Sequence, residues 1–110
     1  MKDDLIYLSH ILEAVDKIEK YLKNVDYEFF LKSTIVIDAV TRNFEIIGEA
    51  ANNISDEFKE KHPEFSWFDM SNMRNKLIHE YFGVDLNIVW DTCKNDLPKL
   101  KEQLQKIEGV

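Results

Sequence analysis

The chain has little of several things, and each shortage excludes something. One cysteine in 110 residues rules out an intramolecular disulfide and a multi-cysteine zinc site. Three glycines and two prolines are too few for a loop-rich β sandwich, a collagen-like chain or a disordered tail. No uncharged run approaches the roughly 18 residues of a membrane span. Met1-Lys2-Asp3-Asp4 is not followed by an apolar stretch of the signal-peptide type. Basic residues are also scarce, 14 against 21 acidic for a formal net charge of −7, which argues against a broad, non-specific grip on nucleic acid. The expectation is a reduced, cytoplasmic protein without membrane contact. Residues of the apolar set make up 45% of the chain, enough for a core, and the length fits a single domain spanning 1–110.

The apolar spacing predicts four main helices and no strands. The first runs from about Asp3 to Lys23, with Leu5, Leu8, Leu12, Val15, Ile18 and Leu22 recurring every three or four residues. Asn24-Val25-Asp26 reads as a turn, and Tyr27 to Lys32 as a short extra piece of helix. The second helix carries Ile37, Val40, Phe44, Ile47, Ala51, Ile54 and Phe58, a seam of alternating three- and four-residue steps. It is expected to run unbroken to His62-Pro63, where the residue before proline leaves the helical region. Gly48 sits in its middle at a cost of about 1 kcal/mol relative to alanine, which points to the close approach of another group.

Ser66 reads as the N-cap of a third helix, with Asp69 completing an approximate capping box and Gly83 supplying the stop. Asp85 caps a fourth helix whose apolar positions run Leu86, Trp90, Cys93, Leu97, Leu100, Leu104 and Ile107. Pro98 removes one backbone bond inside it and predicts a kink. Cys93, Trp67 and Trp90 read as core residues. Tyr27, Phe29 and Phe30 are expected to pack locally or at a contact between copies. His10 and His62 lack a matched pair of ligands, so no metal and no other cofactor is expected.

The chemistry-bearing segment is Arg74-Asn75-Lys76-Leu77-Ile78-His79-Glu80-Tyr81, in the least acidic part of the chain. RNA cleavage without a metal needs a group that titrates near neutrality to move a proton, and imidazole suits that task. It also needs a fixed cation for the charge that builds on the phosphoryl oxygens, and guanidinium suits that. Asn75 is placed to support the site. The same spacing equally fits a surface arginine and a half-buried histidine closing a helix. On one straight helix Arg74 and His79 lie about 140° apart around the axis, whereas Arg74 and Tyr81 fall within about 20° of each other. A pair working from different faces is most simply completed by two copies meeting across a two-fold axis. With so acidic a surface, RNA binding is expected to be local to Arg74 and Lys76 and shallow in its salt dependence.

Arg74 to His79 with Tyr81 reproduces the Arg-x4-His-x-Tyr motif, and the chain resembles the HepT-like branch of the HEPN superfamily. Arg42-Asn43-Phe44-Glu45-Ile46-Ile47-Gly48-Glu49-Ala50 is similar to the family's second-helix signature. Pro63-Glu64-Phe65-Ser66-Trp67, Tyr81-Phe82, Val84-Asp85, Trp90 and Asp96-Leu97-Pro98 agree in order along essentially the whole chain. The resemblance implies an all-α bundle of four to five helices that dimerises. It implies the toxin of a type VII-like toxin–antitoxin pair, a metal-independent endoribonuclease acting on RNA and not DNA. Arg74 would bind the scissile phosphate and His79 act as general acid or base. It implies as partner an MntA-type nucleotidyltransferase that silences the toxin by AMPylation of Tyr81. Glu49 and Arg42 receive no firm role: a helix–helix salt-bridge network is the plainer reading, and orientation of Arg74 or His79 by Glu49 the other. A non-catalytic nucleotide- or substrate-binding subunit of a minimal nucleotidyltransferase is the alternative function.

Overall fold

A computed structural model describes residues 2–72 and 86–110. Helices α1 (Lys2–Leu22), α2 (Tyr27–Lys32), α3 (Thr34–Asn53) and α4 (Asp56–Lys61) are followed by the opening of α5 at residues 67–72. Then come α6 (Leu86–Asp91), a π-helical stretch (Thr92–Asp96) and α7 (Leu97–Gln105). The fold is an all-α bundle, with no strand among the described residues. No helix among them is long and apolar enough to cross a membrane.

The centre of the bundle is α1 against α3, the most extensive helix pairing among the described residues. Leu8, Ile11, Val15 and Ile18 of α1 are fully buried, as are Val40, Ile47 and Ala51 of α3. The expected stripe on α1 is therefore wider than its three-and-four spacing indicated, taking in Ile11 and Ala14 while Leu12 stays half-buried. Alpha-helix α1 closes with Asn24 at φ 61°, the left-handed conformation that ends many helices, and Val25 N–H donates to the Leu22 carbonyl at 3.0 Å. The Asp26 carboxylate then accepts from Phe29 N–H at 2.8 Å and starts α2. Ser33 starts α3, its hydroxyl oxygen accepting from Val36 N–H at 3.2 Å.

The second helix does not run unbroken to His62. The chain leaves the helical region at Ile54 (φ −70°, ψ 137°), and a new helix begins behind Ser55. The Ser55 hydroxyl oxygen accepts from Phe58 N–H at 3.1 Å. From the start of α1, Asp4 takes hydrogen bonds from the Ser55 amide and hydroxyl, each at 2.7 Å. Ile54 and Phe58 remain buried, so the seam keeps its phase across the break.

At Pro98 the helix is adjusted without being divided. The turn before it widens, and Leu97 N–H donates to the Thr92 carbonyl, five residues back. The wider turn suits a proline that has no N–H to offer, and the backbone at Asp96 and Leu97 stays right-handed helical. Val89, Cys93, Leu97, Leu100 and Leu104 carry the buried stripe through all three pieces, with Leu86, Trp90 and Ile107 packed partly buried beside it.

Candidate functional site

Arg74, Asn75, Lys76, His79 and Tyr81 lie outside the described residues, as do Gly83 and Asp85. The structure does show how the chain is held on either side of that segment, and where Arg42 and Glu49 stand.

On the approach, aromatic packing fixes the loop between α4 and α5. His62 stacks on Phe58 with ring centres 4.3 Å apart, and Phe65 is buried with its ring 4.9 Å from that of Trp67. The Trp67 indole N–H donates to the His62 carbonyl at 2.9 Å, so this tryptophan has both an apolar contact and a satisfied donor. Ser66 occupies the residue before α5, and its carbonyl accepts from Met70 N–H at 3.0 Å. Met70 is buried and anchors the first turn. Glu64 is tied in as well: its carbonyl accepts from the Gln103 amide at 3.2 Å, and its carboxylate meets His62 Nδ1 at 3.2 Å. A bond to its own backbone amide, then the His62 contact, hold that carboxyl below its ordinary value.

On the departure side, Trp90 of α6 packs against Phe30 and Tyr27, with ring centres 5.2 and 5.6 Å away. The Tyr27 hydroxyl donates to Asn87 Oδ1. The short helix α2 thus serves as the seat for α6, which accounts for the aromatic cluster at Tyr27–Phe30, although Phe29 itself is exposed. Lys94 lies over the Trp90 ring at 4.7 Å.

Arg42 and Glu49 sit on the exposed line of α3. Arg42 meets Glu45 at 3.4 Å, one turn along its own helix. The salt-bridge network between helices that the sequence led us to expect for Arg42 is therefore, among the described residues, a contact within α3. Glu49 borders a shallow hollow of about 180 Å³ with Tyr7, His10 and Asn53. Two polar residues escaped the sequence reading. Asp4 stands in the sequence only as one of two acidic residues at the start of the first helix, yet it is buried and pairs with Ser55. Asn43 is buried within α3, its amide N–H donating to the Ala39 carbonyl at 2.9 Å while Oδ1 has no partner among the described residues. Its polar side chain beside the Val40–Phe44 seam was the available signal.

Cys93 is the core thiol that its place in the seam predicted. It is 6% exposed, and burial pushes its pKa up to about 12 despite the neighbouring Lys94. His10 lies edge-on to Tyr7, and no group of three metal-ligating side chains comes together among the described residues.

The family model described as "Ribonuclease HepT-like" matches residues 11–107. The chain belongs to the HepT-like ribonuclease family. It is 46% identical to the "Probable ribonuclease HepT" of Thermococcus cleftensis, over 92% of both chains. It is 41% identical to a "Putative RNase" of Caldanaerobacter subterraneus subsp. tengcongensis, over 97% of this chain and 96% of that one. A longer relative from Methanocaldococcus jannaschii, named "Gamma-glutamylcyclotransferase and putative RNase", is 48% identical over 96% of this chain, which spans only 48% of that protein. No solved structure matches. The HepT-like match takes in Arg42, Glu49 and the whole Arg74–Tyr81 segment.

Proposed function

We propose that this HepT-like chain is the toxin of a toxin–antitoxin pair, a metal-independent endoribonuclease. The observation that carries the reading is the Arg74-x4-His79-x-Tyr81 spacing inside a chain that belongs to a ribonuclease family over residues 11–107. In the proposed reaction the ribose 2′-oxygen attacks the adjacent phosphorus and the bond to the 5′-oxygen breaks. The imidazole of His79 moves the proton lost by the 2′-hydroxyl or gained by the leaving oxygen. The guanidinium of Arg74 stabilises the charge on the phosphoryl oxygens. The products are a 2′,3′-cyclic phosphate and a 5′-hydroxyl. Because the attacking group is a 2′-hydroxyl, DNA is not a substrate.

Two chains build the site in this account. Arg74 and His79 diverge by about 140° on a straight helix, and a two-fold contact lets one chain's arginine meet the other's histidine. Asn75 supports the pair. Silencing follows the same chemistry. An MntA-type nucleotidyltransferase places AMP on the Tyr81 hydroxyl, close in angle to Arg74. The added phosphate competes for the guanidinium and fills the space an RNA phosphate needs.

The net charge of −7 favours a second reading, a non-catalytic subunit that binds a nucleotide phosphate for a nucleotidyltransferase. Intact mass of the chain made with and without that enzyme, paired with an RNA cleavage assay, separates the two. The toxin reading predicts an added AMP mapping to Tyr81 and loss of cleavage in the modified form. Unmodified protein that leaves every RNA intact would support the binding subunit instead.

A further inference from the structure

A wide hollow among the described residues lies between the end of α1 and the π-helical turn. It encloses about 670 Å³. Its lining carries Lys20, Lys23, Lys94 and Lys101 against Asp16 and Glu19, beside the exposed Pro98. In a chain of net charge −7, a groove where lysines outnumber carboxylates two to one is a local inversion of charge. The two carboxylates are already engaged, since Lys101 Nζ stands 3.0 Å from both Asp16 and Glu19. Lys20, Lys23 and Lys94 are exposed and form no ion pair among the described residues. Lys94 rests on the Trp90 ring, which limits where its ammonium can go. It sits on the π-helical turn, a type of bulge frequent at functional sites.

We infer that this groove is a second, accessory binding surface for single-stranded RNA, with backbone phosphates at Lys20, Lys23 and Lys94. An anionic polymer is the occupant that the charge selects. A strand fits better than a folded acidic protein because the surface is concave, with cations spaced along it for successive backbone phosphates. The inference rests on the ribonuclease reading only for the choice of RNA. It also revises the expectation that Arg74 and Lys76 alone hold the substrate: about three further phosphate contacts are added, enough to steepen the salt dependence.

The test uses the full chain carrying His79→Ala, so that binding is read without cleavage, and a fluorescein-labelled oligouridylate as the probe. Lys20→Gln, Lys23→Gln and Lys94→Gln are combined in one variant. Lys32→Gln, Lys61→Gln and Lys106→Gln, in a second, change the net charge equally but lie outside the groove. Anisotropy titrations over a range of KCl give Kd and its salt slope. The groove variant is expected to bind about tenfold more weakly at moderate salt, with a slope shallower by about two, while the control keeps a slope near the parent's. Equal losses in both variants, no loss in the groove variant, or no RNA binding by the parent would overturn the inference. So would unchanged RNA affinity combined with weakened binding of polyglutamate, which assigns the groove to an acidic protein. Cleavage by the chain with His79 intact is scored separately. Failure there removes the ribonuclease reading and leaves the binding result to stand or fall alone.

Discussion

Asp4 and Ser55, 51 residues apart, are joined by two 2.7 Å hydrogen bonds in which both carboxylate oxygens accept from a single serine. Ser55 in turn caps α4, so the first turn of the chain decides where the long second helix is cut. Burial acts to raise the Asp4 pKa, but the Ser55 amide and hydroxyl are the leading influences on the other side, and the net value lies below 3.8.

Replacing Asp4 with alanine strands the Ser55 donors and is expected to cost about 1–3 kcal/mol near neutral pH. A carboxyl whose folded pKa is depressed stabilises fully above its ordinary value of 3.8 and loses that contribution as the pH falls through the lower folded value. Urea unfolding midpoints of the parent and of Asp4→Ala should therefore differ at neutral pH and converge in acid. A difference that is the same at both pH values would contradict this assignment.

Cys93 offers a direct check on core packing. With its pKa near 12 and its side chain buried, the thiol is almost wholly neutral and inaccessible at mildly alkaline pH. Its labelling by a disulfide reagent should be slow, and should accelerate in step with urea unfolding followed by circular dichroism. Rapid labelling of the native chain would place Cys93 outside the core.

The seat that α2 provides for α6 can be tested at Phe30, which is fully buried against Trp90. Phe30→Ala is expected to cost about 3–5 kcal/mol. Trp90 fluorescence should shift to the red in the same variant. Phe29→Ala, at an exposed neighbour, should change stability by no more than about 0.5 kcal/mol.

The shared-site account predicts complementation. Arg74→Ala and His79→Ala are each expected to lower kcat by about two to four orders of magnitude. If each site draws its arginine and histidine from different chains, mixing the two inactive variants restores one intact site per mixed dimer. Cleavage should then recover to a substantial fraction of the parent's. Mixtures no more active than either variant alone, under conditions where subunits exchange, would show that both groups come from one chain.

Much of the bundle was legible because burial repeats at helical spacing. Val40, Phe44, Ile47 and Ala51 are core residues on the seam that predicted them, and Cys93, Leu97, Leu100 and Leu104 hold their phase past Pro98. The break at Ile54–Ser55 was hidden for the same reason. Ile54 and Phe58 stay on the buried side, so the pattern carries no trace of it, and the group that stabilises it lies at Asp4. The widened turn before Pro98 was similarly invisible, because the apolar stripe does not slip there. For the candidate site, the helix opening at 67 and its Trp67 anchor followed from Ser66 and Pro63. Charge pairing along the exposed line of α3 was legible from spacing, but the choice of Glu45 over Asp38 as the partner of Arg42 needed coordinates, since each lies one turn away.

The most direct measurement is cleavage of single-stranded RNA by purified, AMP-free protein in the presence of a chelator, with the product ends identified by mass spectrometry. The account predicts 2′,3′-cyclic phosphate ends from the parent, a loss of about two to four orders of magnitude in His79→Ala, and no cut in DNA of the same sequence. An AMP-free parent that cuts no RNA, or a His79→Ala variant that cuts as fast as the parent, would contradict it.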